Sequence, residues 1–259
     1  MIICNIYPIK NQYMYKDEQM SMVLAHLVKK GYYKPKNFEN SYVIMDNGLY
    51  EKQQVSTSLE DLIHIAVKSK IKVREIVVPD VINNSYSTYE LFIKNLGTMI
   101  LNPRYTYMFV CQGENPREVA TQIRMMNGLI ELFNKKQGDH EPKLKVSLAV
   151  SKLCDFNRDH PVLIDVYQKS ILPIHFLGLK TSFSELEKVK NCIRSCDSCQ
   201  LTHLMYNDPD ILKEDLSLYV AHRDHETDHE INLEKDKVKY ELLIEGKEKL
   251  DEELQRRFN

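Results

Sequence analysis

The sequence lacks the features of a membrane-bound or secreted protein. Among its 259 residues no apolar run is long enough to cross a bilayer, and its first residues do not follow the pattern of a signal peptide. Six cysteines are too few for a disulfide scaffold in a chain of this length. We therefore expect a cytoplasmic protein with no membrane partner.

The sequence also lacks a strong charge of one sign and the common nucleotide-binding motifs. The formal net charge is −2, whereas a protein that grips nucleic acid by charge alone is usually basic. Neither G-x-G-x-x-G nor G-x-x-x-x-G-K-[ST] occurs. A basic surface would therefore have to be local, and an open, doubly wound nucleotide-binding sheet is disfavoured.

Short apolar segments alternate along the chain with segments of helical pattern. The predicted strands are 2–8, 42–47, 75–81, 107–112, 145–150, 174–179 and 191–197, with 216–222 as a candidate eighth. Ser58 can cap one intervening helix, and Pro116 suits the first turn of another. Strands that alternate with helices predict a parallel sheet.

The number of these units sets the expected architecture. Seven or eight of them in a chain of this length predict one α/β domain over residues 1–259, a compact (β/α)8 TIM-like barrel. We expect residues 222–237 to form a charged loop and residues 238–258 to form a C-terminal helix that closes the barrel.

Polar residues end several of the predicted strands. Asp46 ends the second strand, Asp80 the third, Gln112 the fourth and Asp197 the seventh. Each residue alone also suits a turn or a helix cap. In a parallel barrel, however, the C-terminal ends of the strands meet at one face, where functional groups gather. We therefore expect these four side chains to surround one pocket.

The order of these motifs resembles the tRNA-guanine transglycosylases and their relatives that insert 7-deazaguanines into DNA. The similar segments are DNGLYE, VVPD, CQG, SLAVS, HFLGLK and SCDSCQLTH, within residues 40–205. Ala149 and Gly178 are 29 residues apart, and Gly178 and Asp197 are 19 apart, as in that family. No cysteine follows Cys199, so the family's zinc subdomain is expected to be missing. The closest resemblance is to compact DNA-modifying enzymes of phages, which would act in the host cytoplasm.

The resemblance implies a site that exchanges one base for another. Asp197 would be the nucleophile, and Asp46 the general acid and base. The residues implied to bind the base are Tyr50, Asp80, Gln112, Gly113, Ser147, Leu148, Leu177 and Gly178. The implied partners are DNA and a 7-deazaguanine base, with no cofactor and no metal.

The resemblance also implies roles for six of the base-binding residues. Tyr50 and Leu177 would sandwich the flat heterocycle. Asp80 would accept hydrogen bonds from the N1–H and the amine of the base, and Gln112 would donate to its O6. The Leu148 carbonyl, beside Ser147, would face the 7-substituent.

Phosphate contacts are predicted from position along the chain. Lys152 and Arg158 follow the fifth predicted strand, and His203 follows the seventh, so all three are candidates. A solvated surface charge is an equal alternative for Arg158. The sequence leaves the choice between a monomer and a homodimer open.

The segment CIRSCDSCQLTH supports other interpretations. Cys192, Cys196 and Cys199 have a spacing that can hold the iron–sulfur cluster of a radical enzyme, and His203 could complete a zinc site. If residues 191–197 form a strand, Cys192 and Cys196 are about 13 Å apart and Asp197 faces the opposite side.

Further alternatives concern the substrate and a second cluster. A tRNA could replace DNA as substrate, water could be the acceptor in a nucleoside hydrolase, or the protein could be an inactive binding subunit. A metal could also bind His222, His225 and His229, although a solvated acidic segment is the simpler interpretation.

Overall fold

Among the residues that the structure describes, eight short strands form a central sheet. The computed structural model describes residues 1–5, 15–16, 18–48, 57–137, 143–151, 153, 156–178 and 183–198. The strands are β1 Ile2–Asn5, β2 Met20–Leu24, β3 Tyr42–Asp46, β4 Val73–Val77, β5 Thr106–Cys111, β6 Val146–Ser151, β7 Ile174–Leu177 and β8 Ser195–Ser198. They form one sheet in the order β1-β8-β7-β6-β5-β4-β3-β2, and every paired neighbour is parallel. The edge strands β1 and β2 lie side by side, so the sheet is a nearly closed, TIM-like α/β barrel.

Helices alternate with the strands and cover the outside of the barrel. They are α1 Ala25–Lys29, α2 Leu59–Lys68, α3 Ser85–Lys94, α4 Leu96–Leu101, α5 Pro116–Lys136, α6 Pro161–Lys169 and α7 Phe183–Val189, with a 3₁₀ helix at Pro35–Phe38. The predicted cap is confirmed, because Ser58 Oγ accepts a hydrogen bond from the Asp61 amide at 3.2 Å. Pro116 opens α5, as predicted. Among the described residues, no helix is both long and apolar enough to cross a membrane.

The observed strands correct the predicted ones in three places. The strand predicted at 75–81 covers Val73–Val77, so Asp80 lies beyond its end. The strand β2 was not predicted, because MSMVL runs into α1 with no turn residue between them and has the composition of a helix. The predicted strand 191–197 begins only at Ser195. The candidate strand 216–222, the charged loop 222–237 and the helix 238–258 lie outside the described residues.

The strands bury both of their faces, as parallel sheets do. One set of side chains, including Phe109, Leu148 and Phe176, packs against the helices. The alternate set, including Met108 and Ala149, packs inside the barrel. This alternation decides which polar side chains enter the barrel and which enter the layer beneath the helices.

Candidate active site at the C-terminal end of the barrel

The four polar residues predicted to end strands do lie at the C-terminal end of the barrel. Asp46 is the last residue of β3, Gln112 follows β5 directly, and Asp80 lies three residues beyond β4. Asp197 lies within β8. Asp80, Gln112 and Asp197 are buried, whereas Asp46 is partly exposed.

The structure brings Asp80 and Gln112 into direct contact. Gln112 Nε2 donates to Asp80 Oδ2 at 2.7 Å, and Asn47 Nδ2 donates to Asp80 Oδ1 at 2.8 Å. Gln112 Oε1 accepts from the Asn83 amide at 3.1 Å, which fixes the orientation of the Gln112 amide. A carboxylate can accept about four hydrogen bonds, so these two donors leave acceptor capacity on Asp80 for a ligand.

Burial dominates the electrostatics of Asp80. Removal from water raises the pKa of this carboxyl above its usual value, and the hydrogen bonds from Asn47 and Gln112 act in the opposite direction. A buried carboxyl with a perturbed pKa is a frequent feature of ligand and catalytic sites. The side-chain amides of Asn47 and Gln112 therefore stabilise the ionised form of Asp80, which can accept hydrogen bonds from a ligand with N–H groups.

Asp46, Asn47 and Gly48, at the end of β3 and directly after it, make different contacts. The Gly48 amide donates to Asp46 Oδ1 at 3.3 Å from a left-handed backbone with φ +73°. Asn47 also donates to the Val78 carbonyl at 3.1 Å, which fixes the side chain that binds Asp80. Sequence reasoning missed Asn47, although its place between Asp46 and Gly48 is a turn signal.

Two groups contact Asp197 at one oxygen. The Gly178 amide lies 2.8 Å from Asp197 Oδ1, and His175 Nε2 lies 3.0 Å from the same atom. His175 is fully buried inside the barrel. Leu177, the last residue of β7, is partly buried and packs against the hydrophobic cluster inside the barrel. Sequence reasoning missed His175, whose signal is a histidine at an inward-facing position of an apolar strand.

A polar network continues from His175 down the barrel. Ser195 Oγ lies 2.8 Å from His175 Nδ1 and accepts from Arg194 Nε at 3.2 Å. The Arg194 guanidinium binds both oxygens of the fully buried Glu75, at 3.0 and 3.1 Å. Burial and the charge of Glu75 raise the pKa of the adjacent Tyr42 to about 12.

The expectation for Ser147 needs correction. Ser147 is the second residue of β6, fully buried inside the barrel, and its hydroxyl donates to Glu75. It therefore belongs to the interior network below the barrel mouth, and its hydroxyl is already engaged. The Leu148 side chain packs in the layer beneath the helices.

Gly113 has a steric reason to be glycine. A Cβ atom at this position would lie 2.9 Å from Glu118 Cβ and 3.3 Å from Val119 Cγ2, in the first turn of α5. The segment after β5 can approach the helix closely because Gly113 has no side chain. This packing positions Gln112, whose own amide donates to Gln122 Oε1 at 2.8 Å.

The prediction that Arg158 contacts nucleic acid is not supported by its position. Arg158 is fully buried and forms two hydrogen bonds with Glu185, at 2.9 and 2.8 Å. The same guanidinium donates to the Val150 and Leu177 carbonyls and lies over the Phe176 ring. Arg158 thus ties together the ends of β6 and β7, with its guanidinium engaged by protein groups. Tyr50, Lys152 and His203 lie outside the described residues.

The cysteines of the described part of β8 and its preceding turn face away from Asp197. Cys196 is fully buried beneath the helices, and Cys192 packs against the same layer. Because Cys192 precedes the strand, the separation expected along an extended strand does not apply to this pair. Within the described ranges, no three His, Cys, Asp or Glu side chains form a metal-binding group. Cys199 and His203 lie outside these ranges.

Two comparisons with known proteins were made on the sequence. No model of a known protein family matches the chain, and no curated protein matches it. The function of the protein is therefore inferred from the chemistry of the side chains at the barrel mouth.

Proposed function

We propose that the protein is a transglycosylase, a pentosyltransferase that replaces guanine in DNA with a 7-deazaguanine such as 7-cyano-7-deazaguanine. The observation that carries the proposal is the gathering of Asp46, Asp197 and the bonded pair Asp80–Gln112 at one end of the barrel. Two separate carboxylates suit a double displacement, and a carboxylate–amide pair suits a guanine-like base.

In the proposed reaction, Asp197 attacks C1′ of the target nucleotide. A bond forms between a carboxylate oxygen and C1′ while the bond from C1′ to N9 of guanine breaks, and Asp46 delivers a proton to the departing base. The incoming 7-deazaguanine then loses its N9 proton to Asp46 and attacks C1′, which releases Asp197. Two displacements at one carbon retain its configuration.

Base recognition is proposed to use the Asp80 cluster. Asp80 accepts from N1–H and the exocyclic amine, and the second N–H of Gln112 donates to O6. Asn47 and the Asn83 amide keep both side chains oriented before the base binds. A base without these donors would leave the buried Asp80 carboxylate poorly solvated, so the site would discriminate against it.

The nucleic acid has to present C1′ and the base edge to this pocket. Both are inaccessible in an intact duplex, so the target nucleotide is flipped out or lies in a single strand. Phosphate contacts would supply most of the affinity. Lys152 and His203 stay the predicted contacts, and Arg158 is removed from that set by its burial.

The test is mass spectrometry of nucleosides after incubation with DNA, or separately with tRNA, and 7-cyano-7-deazaguanine. We expect the modified base in DNA. We expect Asp197→Asn to lose both the exchange and a covalent protein–DNA adduct, and Asp46→Asn to bind DNA but exchange poorly.

The control is Asp165→Asn, which removes an exposed carboxylate on α6 and should leave exchange unchanged. Incorporation into tRNA alone would replace DNA as the substrate. No incorporation into either nucleic acid by the unmodified protein would refute the proposed function, and an adduct that persists in Asp197→Asn would refute the role of Asp197.

A further inference from the structure

A continuous chain of hydrogen bonds leads to Asp197 from Arg194, the residue directly before β8. Arg194 Nε lies 3.2 Å from Ser195 Oγ, Ser195 Oγ lies 2.8 Å from His175 Nδ1, and His175 Nε2 lies 3.0 Å from Asp197 Oδ1. Both His175 and Ser195 are fully buried. Bulk water therefore does not compete for the bond between these two side chains.

The chemistry of the two ends gives the chain a direction. The Nε–H of arginine can only donate, and an ionised carboxylate can only accept. Ser195 accepts from Arg194, so its single hydroxyl hydrogen is free to point at His175 Nδ1. The ring then carries its own hydrogen on Nε2 and donates it to Asp197.

The Arg194 end of the hydrogen-bond chain is held in place by other side chains. Arg194 forms two hydrogen bonds with Glu75, a residue with no exposed surface. Glu75 also accepts from Ser147 on another strand. Fixed partners at both ends limit the rotation of the imidazole ring.

The two oxygens of Asp197 have different surroundings. The Gly178 amide donates to Oδ1 and His175 Nε2 lies against the same oxygen, whereas no donor among the described residues contacts Oδ2. A carboxylate held at one oxygen keeps the other oxygen in a fixed direction. That second oxygen is the natural attacking atom.

We infer that His175 is a positioning residue, which holds Asp197 by an Nε2–H bond so that Oδ2 points at C1′ of the target sugar. This inference deepens the proposed function and rests on it. His175 acts through Asp197 and does not touch the substrate. Ser195 and Arg194 keep the imidazole in the form that donates from Nε2.

The first test compares two substitutions of His175 in the full-length protein. His175→Gln keeps an N–H donor near Asp197, whereas His175→Phe fills the ring volume without a donor. We expect His175→Phe to lose about 100-fold in the rate of exchange, as expected for a misplaced reacting group, with an unchanged KM for the base. His175→Gln should recover most of that loss, while thermal unfolding confirms that both variants fold.

The second test does not depend on activity. Nitrogen NMR of histidine-labelled protein reports which ring nitrogen carries hydrogen, and the resonance that disappears in His175→Gln identifies His175. We expect a protonated Nε2. A neutral ring with hydrogen on Nδ1 alone would overturn the inference.

The two tests separate this inference from the proposed function. If the unmodified protein exchanges no base, the proposed function fails, and the NMR measurement still decides whether His175 donates to Asp197. If exchange occurs but His175→Gln and His175→Phe lose the rate equally while both stay folded, His175 is not a positioning residue.

Discussion

The backbone amide of Gly178 donates a 2.8 Å hydrogen bond to Oδ1 of Asp197. Gly178 makes this contact from a left-handed backbone with φ +71°, and Gly48 uses φ +73° to place its amide against Asp46. Each candidate catalytic carboxylate is thus held by a glycine in a conformation that side chains with a Cβ atom disfavour. The position of Asp46 therefore depends on Gly48, and the position of Asp197 depends on Gly178.

Replacement of Gly178 should therefore cost both stability and activity. For Gly178→Ala we expect a loss of about 1–2 kcal/mol in the free energy of unfolding, because a left-handed backbone is strained for alanine. Denaturant unfolding measures this change, and the exchange assay should show a lower rate because the amide moves relative to Asp197.

Gly128 supplies the matched control for that substitution. It lies in the interior of α5, and a Cβ atom there would meet nothing within 4 Å. Gly128→Ala should raise the free energy of unfolding by about 0.5–1 kcal/mol, since alanine favours helix over glycine. Equal destabilisation by the two substitutions would contradict the structural role of Gly178.

The pH dependence of base binding should follow Asp80. Burial raises the pKa of Asp80, so on acidification this carboxyl takes up its proton at a higher pH than an exposed aspartate does. The protonated form loses acceptor capacity for the N–H groups of the base. The affinity for guanine, measured by calorimetry, should therefore fall as the pH drops through the raised pKa.

Two variants separate Asp80 from the other carboxyl groups. Asp80→Asn should bind guanine weakly at every pH. Its amide NH2 group is a hydrogen-bond donor, and it would face the donor groups of Asn47, of Gln112 and of the base. Asp165→Asn should keep the pH profile of the unmodified protein, since that exposed side chain lies on α6. An unchanged profile in Asp80→Asn would assign the acid loss of binding to another group.

The positions of three site residues could be predicted from the sequence, because each follows an apolar run. Asp46, Asp80 and Gln112 stand where a buried strand gives way to polar residues, and parallel topology brings such ends together. The alternation within SCDS likewise predicts opposite faces for Cys196 and Asp197. These inferences need only local pattern and the general geometry of a barrel.

The partners of those residues could not be predicted in the same way. Arg158 and Glu185 are 27 residues apart along the chain, and each alone has the composition of a surface charge. The contact between Arg194 and Glu75 joins residues 119 apart. Such pairs depend on the register of distant strands, which a single sequence does not specify.

Loss of Arg158 should unfold the protein more readily than loss of a surface cation. Arg158→Met leaves Glu185 buried without its partner, so we expect the free energy of unfolding to fall by about 3–5 kcal/mol. Lys169→Met removes an exposed ion pair with Asp165 and should cost within about 1 kcal/mol. Denaturant titration measures both.

A double variant distinguishes charge from volume at Arg158. Arg158→Met combined with Glu185→Leu removes the unpaired carboxylate and should recover much of the lost stability. DNA affinity of the folded double variant should stay close to that of the unmodified protein, because Arg158 is buried. A large loss of DNA affinity without loss of stability would restore Arg158 as a phosphate contact.

The rate at which each cysteine thiol reacts tests the burial of the cysteines in and around β8. Cys4, Cys111 and Cys196 are fully buried, whereas Cys192 is partly exposed. Burial raises the pKa of Cys4 well above its usual value, and the charges of Asp197 and Glu18 raise it further. Because the thiolate is the reactive form, alkylation of the native protein should modify Cys192 first of these four.

Alkylation also separates the transglycosylase from an iron–sulfur enzyme. A cluster on Cys192, Cys196 and Cys199 would protect Cys192 until the iron is removed, and a chelator would then expose it. If Cys192 is an ordinary thiol, the chelator should not change its rate of alkylation. Peptide mass spectrometry measures this rate. Protection of Cys192 that disappears together with bound iron would therefore favour the radical enzyme, and rapid alkylation in iron-free and untreated protein alike would exclude Cys192 as a ligand.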